Sequence, residues 1–315
     1  MDRLIISASR RTDVPAFFGE WFMKRIEEGY FYRVNPFNTK QVSGFSLKPE
    51  DVDMIVFWTK NPRPFLKHLS TLDAKGYSYY FQFTLNDYPS EFEPNLPSLD
   101  NRVEVFQKLS QQIGADRVIW RYDPIIVSSL TPVEYHLQRI EALAKRLNSY
   151  THRLVISFMD FYGKTENKIK KQPSLREVSF TDITEPEYKD QLEAMAQQLS
   201  RIGHANGMKV ETCAESVELE HCGIQHGSCV DGELISTLLG RDIHARKDKN
   251  QRGACQCVES VDVGVYNTCK FNCMYCYAVQ SEQAVDKTLK HHDPDSPSLI
   301  YQYDQEIEIR GSSNT

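Results

Sequence analysis

No stretch of the 315-residue chain stays apolar for the ~20 positions that a helix needs to cross a bilayer, which excludes a membrane-spanning helix. The opening, MDRLIISASRRTD, carries only a short apolar run and then arginines, so it lacks the order of a secretory signal, and the expectation is a cytoplasmic protein. Positive charge is also in short supply: 37 Lys and Arg stand against 43 Asp and Glu, a formal net charge of -6. That balance excludes coating nucleic acid by charge alone, although it leaves room for a local basic groove. There is no internal repeat and no low-complexity tract. Carboxylates abound, yet no serine or histidine sits in a recognisable nucleophile motif, so triad or glycosidase-like chemistry has no support. What is present is an ordinary globular composition, 40% hydrophobic and 25% charged, in a chain long enough for one large domain. The eight cysteines, in a compartment that keeps thiols reduced, read as metal ligands or reactive groups rather than disulfides.

Short β-branched or aromatic runs alternate with helical patterns. Strand-like segments are Arg3 to Ser7, Asp53 to Trp58, Tyr79 to Leu85, Arg117 to Tyr122, Arg153 to Phe158, Met208 to Cys213 and Val261 to Tyr266. Helix starts are marked by Thr131-Pro132-Val133-Glu134 and by Thr184-Glu185-Pro186-Glu187, each with the N-cap, first-turn proline and glutamate of a capping box. Gly207 is placed to stop the second of these. Asp100 begins a further helix, and Asp13 with Pro15 another that Gly29 ends. Such alternation implies parallel strands joined by crossovers, so the expected fold is α/β, a full or partial parallel (β/α) TIM-like barrel spanning 1–315. A doubly wound open sheet is the alternative, because periodicity does not report closure. Tyr30 to Glu50, Phe161 to Asp182 and a cysteine-rich insertion over 214–260 break the rhythm and read as long loops at the rim; 277–315 reads as a C-terminal tail.

In a barrel of parallel strands, chemistry sits at the C-terminal strand ends. Those ends carry Arg10, Arg11 and Asp13; Lys60 and Asn61; Gln82, Thr84 and Asn86; Arg121 and Asp123; Ser157 and Asp160; and Glu211, Cys213 and Glu215. Hydrophilic loops explain any one of these. Polarity inside the strands, as at Gln82, Thr84 and Glu211, points further, because buried polar groups need partners and a polar mouth built for a ligand supplies them. Arg10, Arg11, Lys60, Arg121, Asp123 and Cys213 are the candidate catalytic residues, the arginines suited to a carboxylate or phosphate and Asp123 to orienting them.

The seventh strand runs into VDVGVYNTCKFNCMYCYA, which places Cys269, Cys273 and Cys276 at Cys-x3-Cys-x2-Cys spacing. Three thiolates on one loop converge on one compact metal site. Structural zinc usually takes four ligands in separated pairs, so it fits less well than a four-iron cluster whose fourth iron stays open; zinc with a remote fourth ligand remains the alternative. The spacing, the preceding strand and Tyr275 before the third cysteine resemble the radical S-adenosylmethionine superfamily. The resemblance implies a 4Fe-4S cluster on Cys269, Cys273 and Cys276, S-adenosylmethionine chelated at the open iron, Tyr275 near the adenine with Asn272 and Gln82 as further cofactor contacts, an electron donor such as flavodoxin or ferredoxin, and hydrogen abstraction by a 5′-deoxyadenosyl radical. In that superfamily the loop follows the first strand, whereas here it follows the last. A barrel whose first and last strands are neighbours accommodates the change as a circular permutation. No Gly-Gly-Glu stretch, which commonly holds the cofactor's amino group after the second strand, occurs in the chain. The whole chain, through SASRRTDVPAF, VNPFN, FWTKNP, WRYDP, TCAE and KDKNQR, resembles the domain-of-unknown-function family eighteen-forty-eight, whose C-terminal cysteines are described as similar to such a cluster.

Cys213, Cys229, Cys255 and Cys257 form a second candidate ligand set for an auxiliary iron-sulfur cluster or a zinc ion, with Cys222, His221 and His226 as competitors; Cys213 is also a candidate hydrogen donor to a substrate radical. Two basic segments, Asn167 to Arg176 and Arg241 to Arg252, would cradle a phosphate if both lined one rim, with Tyr30, Phe31, Tyr32 and Phe37 stacking on bases. The expected function is therefore a radical S-adenosylmethionine-like enzyme acting on a small-molecule or nucleotide substrate, nucleic acid being a subsidiary reading. A non-catalytic iron-sulfur or zinc protein for electron transfer or redox sensing is the alternative.

Overall fold

The computed structural model describes residues 3–35, 38–159, 168–169, 172–303 and 307–311. In chain order its strands are β1 (Leu4–Ala8), β2 (Tyr30–Asn35), β3 (Asn38–Ser46), β4 (Val52–Thr59), β5 (Tyr79–Thr84), β6 (Val118–Ile125), β7 (Arg153–Phe158), β8 (Lys209–Cys213), β9 (Gln225–Gly227), β10 (Val261–Asp262) and β11 (Ile309–Arg310). The helices are α1 (Val14–Phe17), α2 (Gly19–Glu28), α3 (Leu69–Ala74), α4 (Leu99–Ile113), α5 (Val133–Leu147), α6 (Lys189–Ala205), α7 (Gly232–Leu239) and α8 (Glu282–Leu289). Eight strands form one all-parallel sheet in the order β10-β1-β4-β5-β6-β7-β8-β9. The order advances without reversing, and the last main-sheet strand in sequence, β10, lies beside the first, as the late cysteine loop requires. Among the described residues no ladder joins β9 to β10, so hydrogen bonding does not close the sheet into a ring.

Side chains alternate across a strand, and the two faces differ in kind. One face, with Ile6, Phe57, Phe81, Trp120 and Ile156, packs on apolar residues of the helices, among them Phe22, Phe106, Leu143 and Leu199. The other begins apolar at the strand starts, with Ile5, Val56, Tyr80, Ile119 and Val155. It turns polar toward the ends, with Ser7, Gln82, Arg121 and Ser157. The 214–260 insertion covers the apolar part: Val230 and Ile235 pack there together with Cys229, Cys255 and Cys257. It holds β9 and α7 and is not a bare loop.

The Tyr30 to Glu50 stretch is likewise not a loop. β2 and β3 pair antiparallel, and β11 adds a third, parallel strand from the C-terminal tail. The tail also enters the core, since Leu299 and Ile300 are buried and the Trp21 indole donates to the Ser296 carbonyl at 2.9 Å. Several helix starts shift from their expected residues. Thr131 does not cap α5; its hydroxyl donates to the Ile126 carbonyl at 2.6 Å, and the helix begins after Pro132. Thr184 bonds Asp182 instead of α6, which starts after a separate turn at Pro186–Tyr188. Ser98, not Asp100, caps α4. Asp13 caps α1 as expected, accepting from the Ala16 amide at 3.0 Å, and Gly29 ends α2 at a φ of 81° that glycine alone adopts freely.

β10 is only two residues long, and it is held by more than its ladder. The Asp262 carboxylate accepts from Ser7 Oγ (2.9 Å), Ser9 Oγ (2.7 Å), the Arg10 amide (2.9 Å) and the Gly264 amide (2.9 Å). Close approach at this junction leaves no room at Gly264, where a Cβ would overlap Ser9 Oγ and stand 2.9 Å from Thr12 Oγ1.

Two outcomes follow. Gly264→Ala is expected to lower stability by about 1–3 kcal/mol in a urea melt, the usual cost of overpacking, and to release the cysteine loop to limited proteolysis; an unchanged midpoint and cleavage pattern would refute the close-approach argument. His136 is buried with Nε2 2.9 Å from the Ile126 carbonyl and Nδ1 3.1 Å from the Tyr122 hydroxyl, and burial lowers its pKa to about 4. The unfolded chain therefore takes up this proton first as pH falls from about 6.5, so stability present above that pH is lost toward pH 4, by about 3 kcal/mol. Urea midpoints at pH 7 and pH 4.5 should differ less for His136→Gln than for the parent; an equal difference would contradict it.

Candidate functional site

The cysteine loop is tied to the body of the protein at nearly every turn. At its base the Asn267 amide donates to the Ala278 carbonyl (2.8 Å) and Asn267 Oδ1 accepts from the Gln280 amide (2.8 Å). Thr268 Oγ1 meets Thr12 Oγ1 at 2.6 Å, behind the end of β1. The Met274 amide donates to the Phe92 carbonyl at 2.9 Å, and Lys168 Nζ donates to the Cys273 carbonyl at 2.7 Å. Thus held, Cys269, Cys273 and Cys276 all line one cavity of about 1080 Å³, each within electrostatic reach of the other two. Burial pushes the Cys269 thiol well up and the Cys273 thiol to about 12, so as free thiols they are neutral. Between them Asn272, at a φ of 52°, lines the same cavity with its buried Oδ1 unpartnered.

Lys60, from the end of β4, reaches across to this loop. Its Nζ donates to Glu93 Oε1 and to the Tyr275 hydroxyl, both at 2.8 Å, while its amide donates to Asp13 Oδ2 at 2.7 Å. The Tyr275 hydroxyl also donates to Glu93 and accepts from Asn86 Nδ2 at 3.1 Å. Burial alone would lower the Lys60 pKa; the Glu93 carboxylate, by its charge and its hydrogen bond, outweighs it and raises the ammonium instead. Burial pushes the Asp13 carboxyl up to about 7 against the bonds from Lys60 and Thr59. The network fixes the Tyr275 ring at the cavity wall.

The second cysteine set is also drawn together. Cys213 Sγ and Cys229 Sγ are 2.7 Å apart, Cys257 contacts both Cys229 and Cys255, and all four are free thiols lining the same cavity. Arg121 Nη1 donates to Cys229 Sγ at 2.7 Å, and the Val230 amide donates to Cys257 Sγ at 3.3 Å. Neighbouring thiol donors, first Cys229 and then Cys255, pull the Cys257 pKa down, with Arg10 helping; Cys213 falls to about 7 through Cys229 and, after burial, Arg121. Trp58 lies between two guanidiniums, Arg10 at 5.4 Å and Arg121 at 5.1 Å from its ring centroid. Asp123 accepts from Arg121 Nε at 2.9 Å and from the Ser157 hydroxyl, and these partners hold its pKa below the usual range in spite of burial.

Seven of the eight cysteines therefore face one space, together with Arg10, Arg11, Lys60, Arg121, Asp123, Asn272 and Tyr275. Gln82 does not reach it: its amide supports the second set from behind, donating to the Cys229 carbonyl at 2.9 Å. Glu211 also serves structure, pairing with Arg153 at 2.9 Å and Lys209 at 2.8 Å. Cys222 is buried in the helix-side core, and His221 and His226 pair with Glu193 and Glu218, so none competes for the cavity. Of the two basic segments, the first brings Lys168 to the cysteine loop and the second brings Asn250, Gln251 and Arg252 to the cavity wall, while Arg241 pairs with Asp53 at the start of β4. Phe31 and Tyr32 are buried and so unavailable for base stacking. Asp160, Phe37 and Asn167 lie outside the described residues. Sequence reasoning missed Glu93, which nothing in its local pattern marks; Lys168 stood within a segment read as basic and Trp58 at the end of a strand-like run, neither with the contacts it makes here. Asp262, a carboxylate inside a strand-like run, was a signal that went unused. Among the described residues no group of three His, Cys, Asp or Glu side chains is already arranged to hold a metal ion; the second set is instead in direct thiol-thiol contact.

A family model described as Domain of unknown function (DUF1848) matches residues 5–278. No curated protein matches the chain. For the Lys60 network the expected outcome is sharp: Lys60→Met leaves the buried Glu93 carboxylate with Arg102, at 3.9 Å, as its remaining cation and should cost about 3 kcal/mol in a urea melt. The double variant Lys60→Met/Glu93→Gln should recover part of that loss; no recovery would show that Lys60 acts through packing alone.

Proposed function

This chain belongs to the DUF1848 family, and we propose that it is an iron-sulfur enzyme of the radical S-adenosylmethionine kind, built on a circularly permuted partial (β/α) barrel. The observation that carries this reading is the convergence of Cys269, Cys273 and Cys276, from one loop after an edge strand, on a cavity of about 1080 Å³. The residues fit a four-iron cluster with one iron not ligated by protein. They offer three thiols on a single loop, Lys60 and Lys168 nearby to offset thiolate charge, and an unpartnered Asn272 Oδ1 beside them. Held there by Cys269, Cys273 and Cys276, such a cluster would supply the electron for reductive cleavage of S-adenosylmethionine and so the means of hydrogen abstraction from the substrate.

The chain's own residues divide the remaining work. Tyr275, locked by Lys60, Glu93 and Asn86, presents its ring to the space beside the thiols. In the permuted order β1 takes the place of the second strand, so Ser9 to Asp13 stand where the superfamily carries Gly-Gly-Glu, although the one carboxylate there, Asp13, is already engaged by the Ala16 and Lys60 amides. Arg10 and Arg121 face the second thiol set, which we assign to an auxiliary iron-sulfur cluster or a zinc ion; their charges balance thiolates in a site largely closed to water. The Arg121-Asp123 pair forms the substrate side of the mouth. A pure electron carrier needs no cavity of this volume, which favours the enzyme over electron transfer or redox sensing.

Anaerobically reconstituted, reduced protein should give a four-iron electron paramagnetic resonance signal that shifts when S-adenosylmethionine is added. Cys273→Ala should lose it, while Cys222→Ala, whose thiol lies in the helix-side core, should keep it. Zinc in place of iron, or a signal indifferent to S-adenosylmethionine, would overturn the proposal in favour of a structural or electron-transfer metal protein.

A further inference from the structure

One wall of the cavity belongs to the small sheet. Arg33 on β2 pairs with Ser43 on β3, and Arg310 on β11 pairs with Phe45 on the same strand. Directly paired residues project to one side of a sheet, and so do alternate residues along a strand, so Arg33, Ser43, Phe45 and Arg310 share a face. The inner part of that face is apolar, with Phe31 stacked on Phe45 and both buried. Its outer part, with Arg33, Ser43 and Arg310, lines the cavity, and Arg11 lines it from the main sheet opposite.

Two of these guanidiniums are short of counter-charge, while Arg11 has Asp262 and the Tyr266 ring beside it. Among the described residues neither Arg33 nor Arg310 has a carboxylate within salt-bridge distance; Arg33 rests on the Phe45 ring at 4.7 Å. Arg11 has Asp262 at 3.5 Å, but that carboxylate is already engaged by two serine hydroxyls and two amides. The three are close enough to act on one another: burial first, then the charges of Arg11 and Arg310, lower the Arg33 pKa. Adjacent like charges beside a cavity are unfavourable unless an anion completes them. Among the described residues these three cations share one carboxylate, an excess of about two positive charges, which suits a dianion and exceeds what a lone carboxylate neutralises.

We propose that Arg11, Arg33 and Arg310 bind a phosphate monoester group of the substrate, with the small sheet as its recognition element. The proposal rests on the functional reading above only in taking this cavity as the reaction site. It makes β2, β3 and β11 a substrate-binding lip, and it places the phosphate on the side of the cavity next to the end of β1.

The test is calorimetric titration of inorganic phosphate into the full-length reconstituted protein without S-adenosylmethionine. Sodium acetate at equal ionic strength serves as the monoanion control. Phosphate should bind the parent protein, and Arg33→Gln and Arg310→Gln should each weaken it about tenfold or more, one charge-assisted contact being lost in each. Arg310 is exposed, so its loss of binding cannot be ascribed to unfolding. Equal affinity in all three proteins, or acetate binding as tightly as phosphate, would overturn the assignment. So would loss of the S-adenosylmethionine-induced spectral shift in Arg33→Gln, which would give these arginines to the cofactor's carboxylate. If phosphate fails to bind while S-adenosylmethionine still shifts the signal in the parent, the substrate class falls and the radical reading stands.

Discussion

The site depends on one carboxylate. Asp262 closes contacts between residues 255 positions apart in the chain, joining the end of β10 to the end of β1 through two serine hydroxyls and the Arg10 amide, and it braces its own turn through the Gly264 amide. A two-residue strand has little ladder of its own, so without this clasp the cysteine loop would have no fixed origin. Gly264 is the steric counterpart: the chain passes so near Ser9 and Thr12 that a single methyl group does not fit. This junction makes the last main-sheet strand, which leads into the cysteine loop, a neighbour of the first. Order along the chain and order in the sheet are thereby separated.

Charge is distributed with the same economy. The chain as a whole is acidic, at -6, yet its cations gather where the thiols are. Lys60 and Lys168 lie by the loop cysteines, Arg10 and Arg121 by the second set, and Arg11, Arg33 and Arg310 on the opposite wall. Three of them are braced from behind: Lys60 by Glu93, Arg121 by Asp123 and Gln82, Arg33 by the Phe45 ring. Such bracing keeps long side chains in one geometry, so that little ordering remains to be done when an anion, a thiolate or a ligand is present.

How much of this could be read in advance depends on whether the signal was local. The runs at β1, β4, β5, β6, β7 and β8 are apolar and β-branched enough to declare themselves, and the cysteine spacings declared both thiol sets. The hairpin of β2 and β3 was passed over because its cavity-facing residues, Arg33, Asn35, Gln41 and Ser43, are polar and dilute the alternation that marks a strand. Gln82 was correctly read as buried and polar, but its partner is the Cys229 carbonyl, a backbone group 147 residues away that no pattern announces. Glu93 was invisible for the same reason, and Lys168 was legible only as one charge in a basic segment, since their meaning lies in distances between loops far apart in the chain. Thr131 and Thr184 look like caps and serve as turn braces, which shows local hydroxyl chemistry choosing among nearby backbone partners.

The central claim is that the loop thiols leave one iron free to take a ligand from solution. Electron-nuclear double resonance on the reduced protein, with S-adenosylmethionine labelled with 15N at its amino group and 17O at its carboxylate, tests it most directly. The account predicts hyperfine coupling from both labels to the cluster. Absence of coupling from a correctly assembled four-iron cluster would contradict it.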